Sequence, residues 1–150
     1  MEMDTRVTDI IRHKGHDVLT ATPDMTVFEC IAAMVSNNVG SILVMEDDDI
    51  AGIFTERDYL RQIALRGRSS KTTDVEEIMT TDVICVSPSE TVERCLAIMT
   101  QQKCRHLPVL DEEGKLTGIV SIGDCVKQLS RVAKSQVEDL RGYIQGRYPA

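Results

Sequence analysis

The sequence predicts an α+β fold built from two copies of one βαββα unit, extended at the C-terminus by a helix. Three observations predict it. A short pattern (Gly, two apolar residues, Thr or Ser, two variable residues, Asp) occurs at Gly52–Asp58 and again at Gly118–Asp124. The similarity runs well beyond that motif: Asp17–Asp48 aligns with Asp82–Glu113 and, after a one-residue insertion, Ile50–Ile63 aligns with Leu116–Leu129. Thirteen aligned positions are identical, among them Pro23/Pro88, Thr26/Thr91, Cys30/Cys95, Met34/Met99, Val44/Val109 and Gln62/Gln128. Ordinary composition gives roughly three or four. Finally, one copy is too small to bury its own sheet. The two are therefore expected to pack face to face.

Each copy follows the same order. A short lead-in comes first, Val7–Ile11 and its echo Val75–Met79. A first strand is expected at Val18–Thr20 and at Val83–Cys85, ended by Pro23 or Pro88. A helix then starts near Thr26 or Thr91. Its apolar stripe is Val27, Cys30, Ile31 and Met34, matched by Val92, Cys95, Leu96 and Met99; this i, i+3, i+4, i+7 spacing marks one buried helical face. Two strands joined by an acidic turn follow: Ser41–Met45 with Ile50–Phe54, and Leu107–Leu110 with Leu116–Val120. Pro108 cannot donate a ladder hydrogen bond, so its strand needs an unpaired N–H side there. A second helix begins at Thr55 or Ser121. The expected organisation is repeat 1 at residues 7–66, a polar linker at 67–74, repeat 2 at 75–130 and a helical tail at 131–150, with Val126, Leu129, Val132, Val137 and Leu140 as the apolar residues of the last helix.

The chain has 150 residues, 42% of them hydrophobic, and a net charge of −7. That is enough to bury a core. Aromatic residues are 3%, and no Trp is present. An acidic chain poor in stacking rings argues against nucleic acid as a partner. No apolar run is long enough to span a bilayer, and the first residues lack the pattern of a secretory signal, so a cytoplasmic protein without membrane association is expected. The five cysteines include no Cys-x-x-Cys pair and read as small buried hydrophobes. His13 and His16 have metal-ligand spacing but no third ligand nearby.

The chemistry rests in the duplicated motif. Thr55 with Asp58, and Ser121 with Asp124, have the spacing of a capping box that starts a helix. A carboxylate at that place can also accept two hydrogen bonds from the vicinal hydroxyls of a ribose, and a helix start offers N–H groups and a positive dipole end to phosphate. Gly52 and Gly118, three residues before the hydroxyl, suggest close approach of another group. No nucleophile–base pair, metal triad or phosphate-cradling glycine loop appears, so an enzyme is not expected.

The βαββα plan, the duplicated G-h-h-[ST]-x-x-D pattern and the Pro-x-x-Thr-Val helix start together resemble a tandem pair of CBS domains, the Bateman module, over about residues 7–130. TERDYLRQI, GRSSKTT, RHLPVL, SIGDCVKQL and the terminal YIQGRY are similar to small stand-alone CBS-pair proteins of bacteria and plant organelles. The resemblance implies a regulatory module that binds an adenine nucleotide (AMP, ADP, ATP or NAD(H)) as regulatory ligand, without a catalytic cofactor, and signals to an unidentified partner protein. It also implies a homodimer, and a pseudo-twofold axis relating the two copies. One site would use Asp124, Ser121, Arg105 and His106, with adenine against the backbone at Leu19. The other would use Asp58, Thr55, Arg57 and Ser41, with adenine at Ile84. Lys71 in the linker suits a phosphate tail. Arg57 aligns with Gly123, and Gly40-Ser41 with Arg105-His106, so unequal affinities are expected. The alternative is a ligand-independent interaction or dimerisation module in which Asp58 and Asp124 only cap helices.

Overall fold

The computed structural model describes residues 5–144, and side chains of residues 5–140. Residues 145–150 of the expected tail, with most of the YIQGRY segment, lie outside the described residues. The elements run α1 (Val7–Lys14), β1 (Thr20–Ala21), α2 (Val27–Ser36), β2 (Ser41–Glu46), β3 (Asp49–Thr55), α3 (Glu56–Asp58), α4 (Val92–Gln102), β4 (His106–Leu110), β5 (Leu116–Ser121) and α5 (Ile122–Ile144). The α3 turn continues as a π-helix over Tyr59–Ala64, and Val75–Glu77 form a single 3-10 turn. These are the two βαββα units expected, with the C-terminal helical extension.

The chain divides into two compact units whose boundaries do not follow the sequence repeats. One is Asp17–Ile84. The other combines the N-terminal segment through His16 with the chain from Cys85 onward. Each lead-in therefore packs with the other repeat's elements: α1 with β5 and α5, and the Val75–Thr80 segment with β3.

In the Asp17–Ile84 unit the sheet order is β1-β2-β3, with β1 parallel and β3 antiparallel to β2. Thr26 caps α2, its hydroxyl accepting from Glu29 N–H at 3.1 Å while Glu29 accepts from Thr26 N–H at 3.0 Å. The helix turns Val27, Cys30 and Met34 onto Ile42, Val44 and Phe54; Val75 and Ile78 of the lead-in join the same core. In the other unit β4 and β5 are antiparallel, and α4, capped by Thr91, buries Val92, Cys95 and Met99. Val7, Ile10 and Ile11 of α1 are buried as well. The hairpins match in detail, since Val44 faces Gly52 and Val109 faces Gly118, each followed by a bulge.

Two elements depart from expectation: the first strand lies at Thr20–Ala21 and not at Val18–Thr20, and its counterpart in the second copy is missing. Val83–Cys85 form no strand; a single parallel bridge joins Val86 to Val109. Proline chemistry explains the difference. In the first unit Leu43 N–H donates to Leu19 C=O at 3.1 Å, extending the β1–β2 ladder. The residue aligned with Leu43 is Pro108, which has no N–H with which to repeat that bond. Pairing resumes only at Val86, whose N–H donates to Pro108 C=O and whose C=O accepts from Leu110 N–H, both at 3.0 Å.

Candidate functional site

Both copies of the motif sit where a strand hands over to a helix. At the end of β3, Thr55 N–H and the Thr55 hydroxyl donate to Asp58 Oδ2 at 3.0 and 3.1 Å, and Asp58 N–H donates to Thr55 Oγ1 at 3.3 Å. At the end of β5, Ser121 N–H donates to Asp124 Oδ2 at 2.8 Å, and Asp124 N–H donates to Ser121 Oγ at 3.1 Å. The capping boxes are therefore formed. Some helix-start donors are already in use: Glu56 N–H donates to Gly40 C=O at 3.3 Å, and Ile122 N–H to Arg105 C=O at 2.9 Å. The start of each helix is less open to an anion than the bare motif suggests.

The glycines make room for the close approach expected of them. A Cβ on Gly52 would lie 2.6 Å from Met79 Sδ and 2.8 Å from Thr80 O; one on Gly118 would lie 2.6 Å from Ile11 Cδ1. The close approach is made by the chain's own lead-ins. Ile53 and Thr80 exchange backbone hydrogen bonds of 2.9 Å across this contact.

The lead-ins also bring each motif Asp a partner that the sequence does not announce. Thr80 Oγ1 donates to Asp58 Oδ1 at 3.1 Å. Lys14 Nζ donates to Asp124 Oδ2 at 2.6 Å and to Ile119 C=O at 2.8 Å. One motif carboxylate thus faces a hydroxyl and the other an ammonium. For Asp124, burial pushes the pKa up, but the hydrogen bonds from Lys14 and Ser121 and the Lys14 charge outweigh it, holding the carboxyl below its ordinary 3.8. His106, opposite Ser121 in the β4–β5 ladder, is lowered from 6.5, first by burial and then by the Lys14 charge.

In the Asp17–Ile84 unit, Ser41 is buried at the start of β2, opposite Thr55, and Arg57 is exposed on α3. Ile84 closes that unit and lacks the equivalent of the Leu19–Leu43 bond. Lys71 lies over the Phe28 ring, 5.1 Å from its centroid. In the other unit Arg105 is exposed just before β4. Leu19 belongs to the Asp17–Ile84 unit, Asp124 to the other. Lys14 and Thr80 escaped sequence reasoning. The one available signal was the longer lead-in of the first copy, which does not reveal that each lead-in packs with the other repeat.

Cys30, Cys95 and Cys125 are buried as free thiols, and burial pushes them to about 11, 12 and 11. They stay protonated and pack as hydrophobes. Among the described residues, no helix is long and apolar enough to cross a membrane.

The CBS domain family model matches residues 7–65 and 75–131. A curated relative, the mitochondrial CBS domain-containing protein CBSX3 of Arabidopsis thaliana, is 40% identical over 96% of this chain and 74% of its own length. The solved structure of a putative signal-transduction protein with CBS domains from Burkholderia ambifaria is 48% identical, with a TM-score of 0.80, over 83% of this chain and 93% of its own. The CBS domain pair of protein MJ0100, solved in complex with 5′-methylthioadenosine and S-adenosyl-L-methionine, shares the fold at 24% identity and a TM-score of 0.72, over 89% of this chain and 98% of its own.

Proposed function

The chain belongs to the CBS-domain family, as a tandem pair in a regulatory and not a catalytic class, and from that premise we propose that it is a sensor of an adenosine-containing ligand. AMP, ADP, ATP and NAD(H) are the candidates. The observation that carries this reading is the pair of half-buried motif carboxylates, each fixed by its own capping box. Asp124 supports it best. Both hydrogen bonds from Lys14 and Ser121 fall on Oδ2, which leaves Oδ1 for a ribose hydroxyl. The adenosyl ligands of the MJ0100 pair point to the same class.

The two sites are proposed to differ in affinity. Asp124 carries an ammonium partner and a nearby imidazole, while Asp58 carries a hydroxyl partner. Adenine contacts are proposed at Leu19 and Ile84. Of these, Ile84 is relieved of a ladder bond by Pro108, and its carbonyl suits an exocyclic amine. The ligand would shift the module between states that bind a regulated protein unequally, since allostery needs such a difference. Exposed Val35, Val39, Leu60 and Leu65 in the Asp17–Ile84 unit support a homodimer. The protonated thiols suit a reducing compartment such as the cytoplasm.

The formed capping boxes favour one second reading, a ligand-independent interaction module. A thermal-shift series on nucleotide-free protein separates the two. A ligand at 100 times its Kd stabilises by about 2.7 kcal/mol. A shift that is lost in the Asp58→Asn/Asp124→Asn double variant supports the sensor. No shift with AMP, ADP, ATP, NAD(H) or S-adenosylmethionine supports the second reading.

A further inference from the structure

The two motif carboxylates are engaged differently by their neighbours. At Asp124, the hydrogen bonds from Lys14 Nζ and Ser121 N–H both fall on Oδ2. At Asp58, Oδ2 accepts from the N–H and the hydroxyl of Thr55, and Oδ1 accepts from Thr80 Oγ1 at 3.1 Å. Both oxygens of Asp58 therefore carry a donor. In the first copy's lead-in the residue aligned with Thr80 is Arg12, which pairs with Asp9 instead, at 3.4 Å. The hydroxyl contact thus belongs to one motif only.

The backbone of Thr80 is fixed, while its side chain is free to turn. Its N–H donates to Ile53 C=O and its C=O accepts from Ile53 N–H, both at 2.9 Å. Just before it, Val75 and Ile78 are buried in the core of the Asp17–Ile84 unit. Thr80 itself is exposed. Rotation about one side-chain bond takes the hydroxyl from Asp58 to water and leaves the bridge with Ile53 intact. A ribose offers two vicinal hydroxyls to a carboxylate, and one of them needs the oxygen that Thr80 already holds. A carboxylate oxygen has two lone pairs, so the Thr80 hydroxyl weakens such binding without abolishing it.

We propose, resting on the sensor reading above, that the Thr80 hydroxyl is a latch on the Asp58 site. It stands in for a ribose hydroxyl, and a ligand gains less by displacing it than it would at an unengaged carboxylate oxygen. The difference is about one neutral hydrogen bond, roughly threefold to tenfold in affinity. The latch supplies a cause for unequal sites that lies in one residue.

The test is isothermal titration of the nucleotide-free full chain with AMP, ATP and NAD. In an Asp124→Asn background the Asp58 site reports alone, and in an Asp58→Asn background the Asp124 site does. Each background carries Thr80, Thr80→Val or Thr80→Ser. Valine keeps the branched shape and the backbone bridge and removes only the hydroxyl; serine keeps the hydroxyl. In the Asp124→Asn background, Thr80→Val should bind roughly threefold to tenfold more tightly than Thr80, and Thr80→Ser should match Thr80. In the Asp58→Asn background, Thr80→Val should change nothing. Unchanged or weaker binding by Thr80→Val at the Asp58 site overturns the latch, as does a tightening that Thr80→Ser shares or that appears equally at the Asp124 site. Binding confined to the Asp58→Asn proteins overturns it as well. Each of these outcomes leaves the sensor reading standing. No binding of any titrant by any protein, wild type included, overturns the sensor reading and the latch with it.

Discussion

Replacing Gly52 by Ala tests what the duplicated glycine is for. The new Cβ would stand 2.6 Å from Met79 Sδ and 2.8 Å from Thr80 O. The thioether can turn away, but the carbonyl belongs to the bridge in which Ile53 and Thr80 exchange two hydrogen bonds of 2.9 Å. Overpacking of this kind costs about 1–3 kcal/mol, and each hydrogen bond that lengthens loses part of its roughly 0.5–1.5 kcal/mol. The stiffer unfolded chain returns about 0.4–1 kcal/mol. The net expectation is a loss of about 2–3 kcal/mol, or a Tm lower by roughly 5–10 °C for a chain of this size. Gly118→Ala meets only Ile11 Cδ1 below 3 Å, the mobile end of a side chain, with Cγ1 next at 3.7 Å. It should cost about 1 kcal/mol or less. Ile11→Val deletes that methyl, costing about 0.5–1.5 kcal/mol, and in its background Gly118→Ala should cost nothing. Urea unfolding of ligand-free protein reads all four values. A Gly52→Ala protein as stable as wild type would refute the reasoning and return the glycine to a ligand. So would a Gly118→Ala cost that persists in the Ile11→Val background, where the obstructing methyl is gone.

Three further outcomes are expected. Because the His106 pKa is lowered from 6.5, the unfolded chain binds its proton first; stability should be greatest above that value and fall as pH drops below it, and His106→Gln should flatten urea midpoints compared at pH 7.5 and roughly 5.5. The depressed Asp124 carboxyl contributes stability that is fully present above its ordinary 3.8 and lost as pH falls through its native value. Lys14→Met raises that native value toward the unfolded one, so it should lower the urea midpoint at neutral pH and flatten its fall on acidification relative to wild type. In the proposed homodimer, Leu60→Asp on the exposed apolar face should shift the sedimenting species to monomer, whereas an unchanged sedimentation coefficient would remove that face from the interface.

Most of the architecture was legible in the sequence because the repeat reports itself twice. Cys30 and Cys95, or Met34 and Met99, predict the same buried helix face independently, and both are buried. Thr55–Asp58 and Ser121–Asp124 announce their capping boxes through local spacing alone. What stayed hidden is tertiary. Nothing near Lys14 in the chain points to Asp124, 110 residues away, and nothing near Thr80 points to Asp58. At Gly52 and Gly118 the sequence reveals that space is needed, not what fills it. The Val83–Cys85 strand was misjudged by copying the first repeat onto the second. Pro108 breaks the copy, because without an N–H it cannot repeat the bond that Leu43 makes.

The central claim is that the motif carboxylates hold an adenosine ligand, and isothermal titration of nucleotide-free protein with AMP, ATP and NAD tests it most directly. The account predicts two unequal binding events for at least one of these ligands, the one that survives in Asp58→Asn being lost in Asp124→Asn and the converse. Binding that is identical in wild type and both variants, or absent from all three, would contradict it.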